Sequence, residues 1–314
     1  MFSIRNESFA PFEKYILQNQ LTGEYVSIIP DFGGNVNELV LKKENKLYSI
    51  LDGNETAKEL INDTIYKGAH LIPFSGRIID GVYTFHSKTY QLPVNETDRN
   101  NALHGFLNDK KLNVLHVSND NESASLELSY DYKRNVPGYP FTFRLSLIYT
   151  LSAGGLKINI SVKNTGTESM PFSCGWHPYF RFNEPVDNLY FQIPATDIVK
   201  LTEHLVPSGE LVATHQFTRS EKIGSAQLDT CFVMKNEKVV RARLYSPTED
   251  YSLCLWQQAG ERQFRYMQVY IPPHRRSIAI EPVSAPPNVF NNRMAPATLA
   301  PAETFEASYG VNIE

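Results

Sequence analysis

Apolar and polar residues alternate with a period of two in almost every patterned stretch of this chain, which predicts half-buried β-strands rather than helices. In ASLELSYDY, Ala124, Leu126, Leu128, Tyr130 and Tyr132 oppose Ser, Glu, Ser and Asp. FTFRLSLIYTL sets Phe141, Phe143, Leu145, Leu147, Tyr149 and Leu151 against mostly polar positions. After the turn SAGG, LKINISVKN alternates Leu156, Ile158, Ile160 and Val162 with polar neighbours, and TFEASYGVNI near the end repeats the pattern. Closer to the start, GEYVSIIP, the turn DFGG and NVNELVLKK read as a hairpin. The one helical candidate is ETAKELIND, residues 55–63, long enough for two turns. No Gly/Ser-rich linker, low-complexity tract, internal repeat or mid-chain change in composition divides the sequence. The pattern therefore predicts an all-β protein, a large antiparallel β-sandwich with few short helices, formed as a single domain over residues 1–314.

Composition narrows the function. A net charge of −4 gives no electrostatic case for nucleic acid or an anionic membrane. Eighteen Phe, 17 Tyr and 2 Trp suit sheet packing and a sugar-binding cleft. The first residues lack a basic stretch leading into an apolar one, so no secretory signal is read. No apolar run approaches the roughly 20 residues of a membrane span. Cys174, Cys231 and Cys254 are odd in number and widely spaced, which favours a reducing, cytoplasmic setting over a disulfide framework.

Candidate chemistry centres on residues 270–291, YIPPHRRSIAIEPVSAPPNVFN. The run SIAI reads as a buried strand with Glu281 at its end. Pro282, Pro286 and Pro287 lack N–H donors, so the chain is expected to leave the sheet interior there. A carboxyl at that boundary is either a solvated strand-end glutamate or a partly desolvated proton-transfer group.

Other polar residues interrupt the alternation. Arg77 follows Gly76 in LIPFSGRIIDG, where its donor fork serves a ligand oxygen or a structural ion pair. His104 precedes Gly105 in NNALHGFL, a pair that marks close approach of a ligand or of backbone. His177 lies in FSCGWHPYF, where Pro178 holds its backbone extended and Trp176, Tyr179 and Phe180 offer aromatic surface for a sugar face or for the core. Asp229 begins DTCFV as a ligand group or a strand-edge aspartate. His86, His116, His204, His215 and His274 sit in polar segments and read as surface residues. Two histidines and a glutamate can bind Zn²⁺, but no H-x-H, HExxH or CxxC spacing is present. Metal-free general acid–base chemistry is the alternative, since His and Glu exchange protons near neutrality after modest tuning.

In this order, NALHGF, PGYPF, GWHPYF, LDTCFV and IAIEPVSAPPNVFN resemble segments of the aldose 1-epimerase (galactose mutarotase) family, from Arg77 to the final strand. The resemblance implies a galactose mutarotase-like β-sandwich and interconversion of the anomers of a free monosaccharide, with no cofactor or metal. It implies Glu281 as general base at the anomeric hydroxyl and His177 as general acid at the ring oxygen. It further implies His104 as stabiliser of the oxygens at C1, and Arg77 and Asp229 as ligands of sugar hydroxyls. Trp176 is expected as a stacking face. The chain departs from the family's best-known members in having Phe106 after Gly105, Arg181-Phe182 after the HPYF segment and no glutamine in EPVSAPPNVF. These differences bear on the sugar rather than the chemistry, and leave room for a hexose 6-phosphate with Arg181, Arg275 or Arg276 as phosphate ligands. A non-catalytic sugar sensor and a metal-dependent sugar isomerase are the competing readings.

Overall fold

A computed structural model describes residues 1–203 and 205–314; His204, expected at the surface, lies outside the described residues. Two large antiparallel sheets face each other, as the alternation predicts. The nine-stranded sheet has at its centre Ser123–Lys133, Thr142–Ser152, Gly155–Asn164, Thr304–Ile313 and Tyr251–Gln258 in that order. Leu126 is paired with Tyr149, Tyr149 with Ile158 and Ile158 with Tyr309, so one register row carries four side chains into the core. The hairpin Tyr25–Ile29 and Asn35–Lys43 belongs to a separate five-stranded sheet whose inner face joins the same apolar core.

The eight-stranded sheet carries the chemistry. Asp229–Met234, Tyr266–Tyr270 and Ile278–Val283 lie side by side, followed by the short segments Gly175–Trp176 and His70–Leu71. Tyr179–Phe180 returns to pair with Ile278–Val283 as well. One apolar core runs from Phe2 to Val311 between the sheets.

Two expectations about elements are refined. The helix is shorter than 55–63, spanning Ala57–Ile61, with Thr56 Oγ1 accepting the Glu59 N–H as its N-cap. Pro282 does not end its strand, which continues through Val283 with Met267 opposite Pro282 and Tyr266 opposite Val283. On the other edge the neighbouring chain pairs only at Gly175 and again from Tyr179, so the missing proline N–H falls opposite an interrupted ladder.

His70, absent from the candidates above, anchors the two large sheets. Tyr149 O–H donates to the Gly34 carbonyl at 2.7 Å and so accepts from His70 Nε2 at 2.8 Å. That leaves Nδ1 as acceptor for Tyr309 O–H at 3.0 Å. Burial depresses the imidazole to a pKa of about 3, a hydrogen bond with Gly34 partly opposing the shift. The ring is a neutral structural bridge.

Candidate active site

Glu281 emerges from a strand whose six residues are all buried. Both flanking pairs, Gly175 with Val283 and Tyr179 with Ala279, follow one register that sets His177 across from Glu281. His177 is fixed from its other side: its N–H donates to the Ala69 carbonyl and its carbonyl accepts from Gly68 N–H, both at 2.9 Å. Its Nε2 consequently lies 3.4 Å from Glu281 Oε1, with side-chain exposures of 6% and 3%. The ring stacks on Tyr179 and meets the His104 ring edge-on at 5.2 Å.

His104 is positioned by glycine chemistry. The strand Asn101–Leu103 pairs with Arg77–Ile79, and the chain then turns through positive φ at His104 and Gly105. A Cβ on Gly105 would lie 2.1 Å from the Ile72 carbonyl oxygen, so the close approach marked by this His-Gly pair is to backbone. Gly76 clamps the histidine: its carbonyl accepts the His104 N–H at 3.0 Å and its own N–H donates to His104 Nδ1 at 3.2 Å. An Nδ1 that accepts leaves the proton on Nε2.

His104, His177, Glu281, Arg77 and Asp229 all line one cleft of about 290 Å³, at the small end of small-molecule sites. Tyr66, Tyr179, Tyr270, Leu201 and Leu205 supply apolar wall. Asp229 Oδ1 accepts from Gln268 Nε2 at 2.7 Å, and Gln268 is paired with Glu281 on the adjacent strand. Gln268 Oε1 is buried with no partner among the described residues. Arg77 gives Nε and Nη2 to Glu96 at 2.9–3.1 Å, leaving the two Nη1 donors without a protein acceptor among the described residues. Glu96 and Gln268 were not among the sequence candidates. The one available signal was for Gln268, a polar residue inside the apolar run YMQVY.

Burial drives the electrostatics. It raises the Glu281 carboxyl well above the usual carboxylate range, with nearby Asp229 adding and Arg77 opposing. It lowers His177 to about 3, against a hydrogen bond with its own backbone, and lowers His104 strongly with help from His177 and Arg77. Asp229 is also raised by burial, while the positive charge of Arg77 pulls it back. Burial therefore favours the uncharged forms of both facing groups over an ion pair.

Two expectations are corrected. Trp176 is not in the cleft: it is 0% exposed, stacks on Tyr309 of the opposite sheet and donates Nε1–H to the Gly68 carbonyl at 3.2 Å. Side chains alternate faces along a strand, so His177 toward the cleft puts Trp176 into the core. Arg181, Arg275 and Arg276 do not line the cleft either. Arg275 is tied to Asp187 and to the Gly224 and Ala226 carbonyls, Arg181 donates to Ser49 Oγ, and Arg276 is exposed. Among the described residues no group of three or more His, Cys, Asp or Glu is arranged to hold a metal ion. His86, His116, His215 and His274 are exposed.

The fold, a large antiparallel sandwich with a small polar cleft at one sheet, is that of galactose mutarotase-like proteins. The aldose 1-epimerase family profile matches residues 13–312, and the chain belongs to that family. It is 33% identical over 241 residues to the uncharacterized protein YihR of Escherichia coli (strain K12), covering 72% of each chain. It is 28% identical over 207 residues to galactose mutarotase of Sus scrofa, covering 63% of this chain and 57% of that one. A galactose mutarotase-like protein from Clostridium acetobutylicum superposes with a TM-score of 0.87 at 25% identity, over 100% of this chain and 98% of that one. Galactose 1-epimerase from Lactobacillus acidophilus gives a TM-score of 0.81 at 18% identity, over 100% of this chain and 98% of that one, a likeness of fold.

Proposed function

We propose that this chain is an aldose 1-epimerase interconverting the α- and β-anomers of a free monosaccharide by general acid–base ring opening and closure, as one catalytic domain. The observation that carries this reading is the buried contact between His177 Nε2 and Glu281 Oε1 at 3.4 Å. Ring opening removes a proton from the anomeric O1 and adds one to the ring oxygen O5 as C1–O5 breaks and C1=O1 forms. Glu281 receives the first proton and His177 Nε2 supplies the second. Rotation about C1–C2 exposes the other carbonyl face, and the same groups run backward to close the ring. Oxidation states do not change, so the cycle needs no cofactor.

For Glu281 to act as base, the shared proton must move to His177. Burial favours keeping it on the carboxyl. An O1–H donating to Glu281, together with the charge of Arg77, stabilises the carboxylate and favours that transfer. His104 Nε2–H is the donor suited to negative charge growing on O1. The Arg77 Nη1 donors, Asp229 and the unpartnered Gln268 Oε1 suit the remaining hydroxyls. Each positioned proton carrier contributes about 10²–10⁴-fold.

No helix of the described residues is long and apolar enough to cross a membrane. The three cysteines are unpaired and buried, which supports the cytoplasmic setting we propose. Polarimetry on freshly dissolved α-D-glucose and α-D-galactose tests the activity. Faster mutarotation by the native chain supports it, and no acceleration with any free aldose rejects it.

A further inference from the structure

The wall of the cleft beside Arg77 contains a seat for an anion that the protein fills with its own carboxylate. Arg77 Nε donates to Glu96 Oε1 and Oε2 at 3.1 and 2.9 Å, and Nη2 donates to Oε1 at 3.0 Å. Arg99 Nη1 adds a bond to Oε1 at 3.1 Å, and Asn101 Nδ2 one to Oε2 at 2.7 Å. The Glu96 side chain is 8% exposed. Its backbone exchanges both N–H···O bonds with Asn101 at 3.1 Å, so the carboxyl cannot drift from its partners. Burial alone would raise the carboxyl, but hydrogen bonds from Arg77, Asn101 and Arg99 and the charge of Arg77 hold it below its ordinary value.

Two guanidinium groups and an amide converging on one point form the donor set that binds a carboxylate or phosphate, and the bidentate Arg77 contact has the matching geometry. Arg77, Glu96 and Arg99 all line the cleft. A ligand anion would have to displace Glu96 or sit against it, and either course places two negative groups together in a half-dry wall. Asp229, on the same cleft, adds no positive charge to offset this.

We propose that Glu96 determines substrate charge: it reserves the cleft for uncharged sugars and excludes those bearing a carboxylate or phosphate. This deepens the mutarotase reading and rests on it for the word substrate, but the anion seat itself does not. Neutralising Glu96 uncovers Arg77 and Arg99 and turns the wall into an anion site.

Isothermal titration with inorganic phosphate at constant ionic strength reads the seat directly, on the native chain, E96Q and E96Q/R99A, each checked for folding by circular dichroism. E96Q should bind phosphate at least about tenfold more tightly than the native chain, and the added R99A should reverse most of the gain. Anomer-exchange NMR then compares D-glucose with D-glucuronate. The native chain should favour glucose by roughly 100-fold, and E96Q should narrow that ratio about tenfold or more. If E96Q does not fold, E96D, which keeps the charge but withdraws it by one methylene, should give an intermediate ratio. A folded E96Q with native-like phosphate binding overturns the proposal, as does a native chain that handles glucuronate as well as glucose. If the native chain exchanges no sugar, the mutarotase reading fails while the phosphate titration still decides the role of Glu96.

Discussion

His177 and Glu281 face each other across the one gap in the ladder between their strands, Nε2 to Oε1 at 3.4 Å. The gap is what makes the pair usable. A paired ladder would commit the backbone on both sides, whereas the His-Pro step hands the His177 backbone to Gly68 and Ala69 and leaves its ring toward the carboxyl. Among the described residues no other side chain is hydrogen-bonded to either group, and His177 Nδ1 is buried without a partner.

Removing the carboxyl should separate activity from stability. Glu281→Gln should lower kcat for mutarotation by at least about 10²-fold. The folded-state pKa of Glu281 lies above its unfolded value, so its stabilising share exists at low pH and is lost as pH rises through the folded value. Glutamine does not titrate. Thermal unfolding from pH 5 to 9 should therefore show the variant gaining on the native chain as pH increases. A variant that keeps full activity, or loses ground with rising pH, contradicts the buried-base assignment.

The same pair sets the pH range of activity. His177 is driven to about 3 and Glu281 upward, so a wide interval separates gain of a second proton from loss of the only one. The expected profile of kcat/KM has its acid limb well below the ordinary histidine value of about 6.5 and its alkaline limb well above the ordinary carboxylate range. Initial-rate polarimetry corrected for buffer catalysis measures it. An acid limb near 6.5 would mean that His177 titrates as an exposed imidazole.

Acid stability should report His70. Its folded pKa is depressed to about 3 from an unfolded value near 6.5. The stability this contributes is complete above the unfolded value and is lost as pH falls toward 3. His70→Phe removes that titration but orphans the Tyr309 hydroxyl, costing about 1–3 kcal/mol at pH 7. Urea unfolding at pH 7 and pH 5 should show a less stable variant with a smaller loss between the two. His177, depressed in the same way, leaves the variant some slope.

Local pattern carried the strands well, because Leu126, Leu147, Ile158 and Tyr309 each face the core from a period-two run. It also carried the residues whose neighbours are sterically special, namely Glu281 before a proline, His177 before another and His104 before glycine. What it did not carry depends on pairing between distant segments. Gln268 joins the site because register sets it beside Glu281, and Glu96 because Arg77–Ile79 pairs with Asn101–Leu103. His70 was invisible because both of its partners are tyrosines on other strands. Trp176 could have been placed from sequence: on a strand it cannot share a face with His177.

That placement is itself testable. The Trp176 indole lies in the core against Tyr309, so Trp176→Phe removes packing area and the Nε1–H bond to Gly68 without touching the cleft. The cavity and lost hydrogen bond should cost about 1–3 kcal/mol, seen as a lower midpoint in urea. KM for the sugar should change less than about threefold, because no cleft-facing atom is removed. Tyr179→Ala makes the contrast: it strips apolar wall and the ring stacked on His177, and should change both KM and kcat. If instead Trp176→Phe raises KM many-fold at unchanged stability, the indole reaches the sugar and the face assigned to this strand is wrong.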